Sequence, residues 1–165
     1  MASLITVPNP ILRQKAVPVT TKLDLTTITS ELSRIRQELG GAGLAAPQIG
    51  HSVRIINVVF RGREYTIFNP YIQHRKGATK ILEGCLSIPG TIYQVTRPIT
   101  LTLFGEDARG NPIKLKCKTF EESAVMEHEV DHLNGILIDK RGKYFSTTGI
   151  EKKDKLAFGE KNEVY

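Results

Sequence analysis

The sequence predicts an α+β fold, with antiparallel strands packed around a central helix. Three observations point there. Short runs rich in β-branched and aromatic residues, at 53–60, 63–69, 99–104 and 113–118, are bounded by turn residues. Two amphipathic helical stretches, 25–39 and about 120–134, stand apart from those runs. A chain of 165 residues without internal repeat, low-complexity tract or linker suits a single domain over 1–165 with one buried core.

The first 20 residues read as extended and punctuated by proline. In 25–39, Leu25, Ile28, Leu32, Ile35 and Leu39 fall on one helical stripe, with Asp24 as N-cap and Gly40-Gly41 as the stop. The glycine-rich segment 40–50 follows. The runs 53–60 and 63–69 form an expected antiparallel pair turned by Arg61-Gly62. Residues 99–104 alternate cleanly, and Asp107 to Pro112 supplies turn chemistry before the strand 113–118. The second helix is expected to start at a capping box, Thr119 with Glu122, and to stop at Gly135. The tail after about 146 receives no assignment.

Composition excludes several classes. The longest apolar run is as short as Val58-Val59-Phe60, far from the roughly 20 residues of a membrane helix. The N-terminal residues lack the charged and apolar regions of a secretory signal, so a cytoplasmic protein is expected, with a processed organellar form left open. The net charge is +6, but the basic residues are scattered. Their densest cluster, Lys152-Lys153-Asp154-Lys155, is interrupted by acid and reads as a solvated face. No direct nucleic-acid function is expected. Two cysteines are too few for a disulfide framework. Cys117 continues an alternating strand and reads as a small core residue, whereas no local pattern asks for Cys85 between Gly84 and Leu86.

The sharpest chemical feature is His128-Glu129-Val130-Asp131-His132. Histidines four apart on a helix stack on one face, so both imidazoles can reach one cation, with Glu129 beside them to move a water's proton. The bland alternative is coincidence on an amphipathic helix. The other histidines, His51 and His74, read as surface residues. A catalytic site of this kind needs a third ligand and an open position. Cys85 is preferred, because a soft thiolate suits zinc or ferrous iron. Glu151 and Glu160 in the tail are the competitors, and spacing alone does not decide between them.

In 41–50, Gly-Ala-Gly-Leu-Ala-Ala-Pro-Gln-Ile-Gly, no Lys-Ser/Thr follows the glycines and Pro47 interrupts a helix start, which argues against a phosphate loop. Two readings stand level. The small residues admit a substrate backbone, with Gln48 as a donor to a developing oxyanion, or the segment is simply a tight turn.

Taken in order, Gly41-Ala-Gly-Leu-Ala-Ala-Pro-Gln48, Glu83-Gly-Cys-Leu-Ser87 and His128-Glu-Val-Asp-His132 resemble the three signature motifs of peptide deformylases. Phe68-Asn69-Pro70, Ser87-Ile-Pro-Gly90, Arg97-Pro98 and Leu133-Asn-Gly135 extend the likeness over about residues 4 to 140. Two positions depart from it. Glu127 stands where the family commonly has Gln, and Ile92 where some members carry Arg near the side-chain pocket.

The resemblance implies Cys85, His128 and His132 as ligands of one ion per chain. It implies Fe(2+), where ligand chemistry alone suggests zinc; Zn(2+) or another divalent metal would substitute. It implies N-formylmethionyl nascent peptides as substrate, hydrolysed to release formate. Glu129 would carry the proton, while the Leu86 N–H and the Gln48 amide would receive the oxyanion. The peptide would lie along Ala42, Gly43 and Gly84, with its methionine against Ala124 and Val125. An enzyme on nascent chains would gain from transient ribosome contact. The rivals are an endopeptidase on the same helix motif, and a non-catalytic metal- or nucleic-acid-binding domain, in which Glu129 would be dispensable.

Overall fold

Strand-forming runs and two helical stripes build the chain as expected in kind, with more strand than the sequence pattern revealed. The structure, a computed structural model, describes residues 2–20 and 25–147. Its elements in chain order are α1 (Thr26–Glu38), β1 (Gly43–Ala45), β2 (Ile55–Phe60), β3 (Arg63–Lys76), β4 (Thr79–Cys85), β5 (Ile88–Arg97), β6 (Thr100–Glu106), β7 (Pro112–Cys117), α2 (Phe120–Leu133), α3 (Ile138–Arg141) and β8 (Gly142–Thr147). Single turns of 3₁₀ helix lie at Pro10–Arg13 and Ala46–Ile49.

The strands form two antiparallel sheets, one in the order β1-β2-β3-β6-β7 and one in the order β4-β5-β8. The β2–β3 hairpin closes through Arg61 and Gly62, both at positive φ (50° and 76°), a turn whose twist matches that of the paired strands. One face of the larger sheet presents Ile56, Val58, Ile67, Leu101, Leu103 and Leu115 to Val125, Met126, Val130 and Leu133 of α2. On α1, Leu32 and Ile35 pack against Leu44, Ile49, Ile55 and Phe68. The smaller sheet buries Cys85, Ile88 and Val95 against Leu12, Leu137 and Ile138. Burying a Leu or Ile side chain fully is worth about 1.5–3 kcal/mol, so these three clusters outweigh the surface ion pairs in holding the layers together.

Several expectations need adjustment. At α1 the N-cap position is Leu25, which makes no side-chain cap, while Asp24 lies outside the described residues. At α2, Thr119 Oγ1 accepts from the Glu122 N–H (3.3 Å), and the Glu122 carboxylate reaches back to the backbone N–H groups of both Lys118 (2.7 Å) and Thr119, so the capping box forms and extends one residue further. Pro47 does not prevent a helical turn; it sits within the first two positions of the 3₁₀ segment, where its missing N–H is tolerated. β3 runs on to Lys76 because its register shifts between Phe68 and Tyr71, with Asn69 at φ 48°, and this carries the ladder past Pro70.

The smaller sheet escaped the sequence reading altogether. In β5 the buried positions change from Ile88 and Ile92 to Val95 and Arg97, switching parity where the register shifts between Ile92 and Tyr93. Strict alternation is therefore lost. Among the described residues no helix is long and apolar enough to cross a membrane.

Candidate metal centre

Helix periodicity sets His128 and His132 on the same side of α2, with ring centroids 4.9 Å apart. Their Nε2 atoms approach to 3.2 Å, and Cys85 Sγ, at the end of β4, lies 3.4 Å from His132 Nε2. The three potential ligand atoms all fall within 4.8 Å of one another, and all three residues are buried. One sulfur and two ring nitrogens turned toward a common point are the donor set of a tetrahedral site for a borderline-soft cation. The competitors Glu151 and Glu160 lie outside the described residues.

What surrounds this trio suits a cation. His128 Nδ1 faces Glu83 Oε2 at 3.1 Å, which fixes the ring so that Nε2 points at the sulfur. Burial lowers the pKa of His132 well below its ordinary value, with the charges of His128 and Arg97 acting the same way, and so favours the neutral, ligating form. Burial disfavours a charged His128 too, but contacts with Cys85 and Glu83 override it and raise that pKa.

Glu129 adjoins the trio. Burial pushes its carboxyl up to about 7, and Oε2 is enclosed without a hydrogen-bond partner among the described residues. The strand β1 passes so close that a β-carbon on Gly43 would lie 2.5 Å from Glu129 Oε1. The absence of a side chain at Gly43 thus makes room for Glu129, rather than only for a substrate backbone.

A cavity of about 340 Å³ opens onto these groups. Cys85, His128 and Glu129 form its floor, and Ala42, Gly43 and Gly84 line its flanks. Gln48, Leu86, Val125 and Ile92 complete the parts that bear on chemistry. Ala124 does not reach the cavity wall: it is fully buried beneath it, so only Val125 of that expected pair faces the space. Gln48 is held at both ends. Its Oε1 accepts from the Ala45 N–H (2.8 Å) and its Nε2 donates to Ser87 Oγ (3.1 Å), which leaves the second N–H of that amide for a ligand. Leu86 lies in the two-residue turn between β4 and β5, outside the ladder. His74 is exposed and His51 half-buried, both away from the cavity.

Beneath the histidines lies a charged network to which sequence reasoning assigned no role. Arg97, 1% exposed, bonds Glu83 through Nε and Nη2 (2.7 and 2.9 Å) and Asp131 through Nη1 (2.6 Å). Asp131 also takes Arg141 (2.5 and 2.9 Å), and Glu127 takes Arg75 (2.7 Å). Burial alone would raise the Glu83 carboxyl, but hydrogen bonds from Arg97 and His128 hold it at about 2. One signal for the network was present. Glu83 stands two residues before Cys85 on a strand and therefore shares its face.

Comparisons with known proteins point to one family. A family model described as Polypeptide deformylase matches residues 1–145. A peptide deformylase of Dehalococcoides mccartyi is 40% identical over 136 residues, covering 79% of this chain and 79% of that protein. Among solved structures, the peptide deformylase of Thermotoga maritima superposes with a TM-score of 0.80 at 29% identity, covering 87% of this chain and 98% of that one. The Met-Ala-Ser-bound enzyme of Acinetobacter baumannii gives 0.78 at 28%, covering 85% and 97%.

Proposed function

The chain belongs to the polypeptide deformylase family, and from that premise we propose how its own residues divide the work of the reaction. It is an enzyme that removes the N-formyl group from the N-terminal methionine of newly synthesised polypeptides and releases formate. The observation that carries the finer reading is the convergence of Cys85, His128 and His132 beside a cavity whose floor includes Glu129.

In this reading Cys85 Sγ and the Nε2 atoms of His128 and His132 hold one divalent cation per chain, Fe(2+) natively, with Zn(2+) able to substitute. The bound ion supplies Lewis acidity, polarising the formyl carbonyl and making water acidic near neutral pH. Glu83 holds His128 by its Nδ1 and so presents Nε2 to the site. Glu129 accepts the proton of the attacking water and returns it to the departing amine; a carboxyl placed at about 7 by burial is suited to both transfers. The free N–H of Gln48 and the backbone N–H of Leu86 receive the negative charge that develops on the formyl oxygen, each worth about 3 kcal/mol.

β1 and β4 are terminal strands of their two sheets, and both border the cavity. An extended peptide adds between them, pairing with Gly43 and Gly84 and crossing Ala42, with its methionine against Val125 and the residues packed on Ala124. The Met-Ala-Ser bound to the Acinetobacter baumannii relative supports such an occupant. Residues 1–165 act as one catalytic domain, in the cytoplasm and in transient contact with ribosomes, because the substrate is a nascent chain.

The test is formate release from formyl-Met-Ala-Ser by wild type and Glu129→Ala, with metal analysis of both. The variant should retain its metal and lose activity. A variant that still turns over removes Glu129 from the role of proton carrier.

A further inference from the structure

Arg36, near the end of α1, is 6% exposed, and each nitrogen of its guanidinium has a partner. Nε donates to Asn57 Oδ1 (2.5 Å), Nη1 to the Gly41 carbonyl (3.1 Å), and Nη2 pairs with Glu64 (3.1 Å). Asn57 is itself wholly buried and donates to Glu64 (2.8 Å) and Thr66 (2.9 Å). The main chain of Arg36 holds Gly41 as well, because its backbone carbonyl accepts the Gly41 N–H (3.0 Å).

The register of β1 gives this grip a meaning. Gly43, Leu44 and Ala45 pair with Val58, Asn57 and Ile56, and the Ala42 carbonyl accepts from the Val59 N–H (2.9 Å). In an antiparallel pair, alternate residues turn their N–H and C=O groups away from the partner strand. With Ala42 bonded to β2, those residues are Gly41, Gly43 and Ala45. The Ala45 N–H is taken by Gln48 (2.8 Å), and both polar groups of Gly41 are taken by Arg36. Gly43 alone is flanked on both sides by occupied neighbours. Gly41 also abuts the proposed oxyanion turn: a β-carbon there would lie 3.2 Å from Leu86 Cδ1 and 3.2 Å from the Gly43 carbonyl.

We propose that Arg36 is a positioning residue for the deformylation reaction. By closing the β1 edge at Gly41, it confines main-chain pairing of the formylated peptide to Gly43 and holds that ledge in place against Leu86. The proposal rests on the reading that the peptide adds to the β1 edge. It makes Arg36 a determinant of substrate register although it touches no reacting atom.

Arg36→Met tests it in the metal-loaded enzyme with formyl-Met-Ala-Ser. The KM should rise about tenfold with kcat changed less than about twofold, the split expected when a ground-state docking surface is loosened by the loss of one charged hydrogen-bond set. Arg36→Lys should behave like Arg36→Met, since a single ammonium cannot hold Asn57, Gly41 and Glu64 together. Should Arg36→Met fail to fold, Glu64→Ala removes the acidic anchor of the same guanidinium from a partly exposed site and should raise KM in the same direction. Amide exchange across residues 41–44 should quicken in each variant. An unchanged KM in an active variant, restoration by Lys, or equal losses in kcat and kcat/KM would overturn the proposal. A wild type that releases no formate would instead overturn the underlying reading, and the proposal with it.

Discussion

Gly43 and Glu129 occupy one another's space: the carboxylate oxygen sits 2.5 Å from where a β-carbon on Gly43 would be. The two residues come from different elements, β1 and α2, and the contact leaves no slack between the strand that borders the cavity and the group assigned to proton transfer.

Gly43→Ala should therefore displace Glu129 without unfolding the chain. A misplacement of about 1 Å in such a group costs on the order of 10²-fold in rate. The expected result is a fall of that size in kcat, with metal content and melting temperature near wild type, read by formate release, metal analysis and calorimetry. Unchanged kcat would show that Glu129 can move aside and still work.

The pH profile follows from the same carboxyl. Glu129 must be ionised to accept a proton, so activity should fall as pH drops through its pKa. Burial places that value at about 7, and a bound cation lowers it. The acidic limb of kcat/KM should lie at or below pH 7 and should be missing from the residual activity of Glu129→Ala. A limb well above 7 would have to come from another group.

Arg97→Met should be among the most destabilising single changes. It leaves Glu83 and Asp131 buried with one fewer cation each, a loss of about 3–5 kcal/mol by urea unfolding near neutral pH. The sign with pH is fixed by Glu83, which is held at about 2 against an ordinary 4.5. A depressed carboxyl stabilises the fold above its unfolded value, and that contribution disappears as pH falls from 4.5 toward 2. The gap between wild type and Arg97→Met should therefore narrow across that acid window. A gap that widens there would assign the stabilisation elsewhere.

Metal removal should abolish activity and lower the melting temperature, because Cys85 is contributed by the smaller sheet and both histidines by α2. Activity should decay on aerobic storage and return with anaerobic Fe(II); full and lasting aerobic activity with stoichiometric zinc would reject iron. In the metal-free protein, a thiol reagent at pH 8 should label Cys85 and spare Cys117, whose thiol is pushed up to about 12 by burial.

The sequence disclosed what rests on local rules. The helical spacing of His128 and His132, the Arg61-Gly62 turn and the strand over 99–104 each follow from one element's own pattern, and each is found where expected, although Thr102 is buried along with Leu101 and Leu103 and Ile99 is exposed. What stayed hidden depends on contacts distant in sequence. Glu83, Arg97 and Asp131 read as ordinary charges until folding buries them together. Arg36 looks like a solvent-facing helix residue until Asn57 and Glu64 arrive from the β2–β3 hairpin. Ala124 shares a helical face with His128, yet the packed helix turns it under the cavity wall instead of into it. The strands β4 and β5 were obscured by a change of parity at a register shift and by charged residues on their buried face.

The occupied flanks of Gly43 reach beyond catalysis. Open strand borders invite copies of a protein to stitch together into larger sheets. A gap that accepts a single residue gives such growth little to grip at β1, so the feature that welcomes one visitor at a time also makes that border a poor seam for a second copy of the chain.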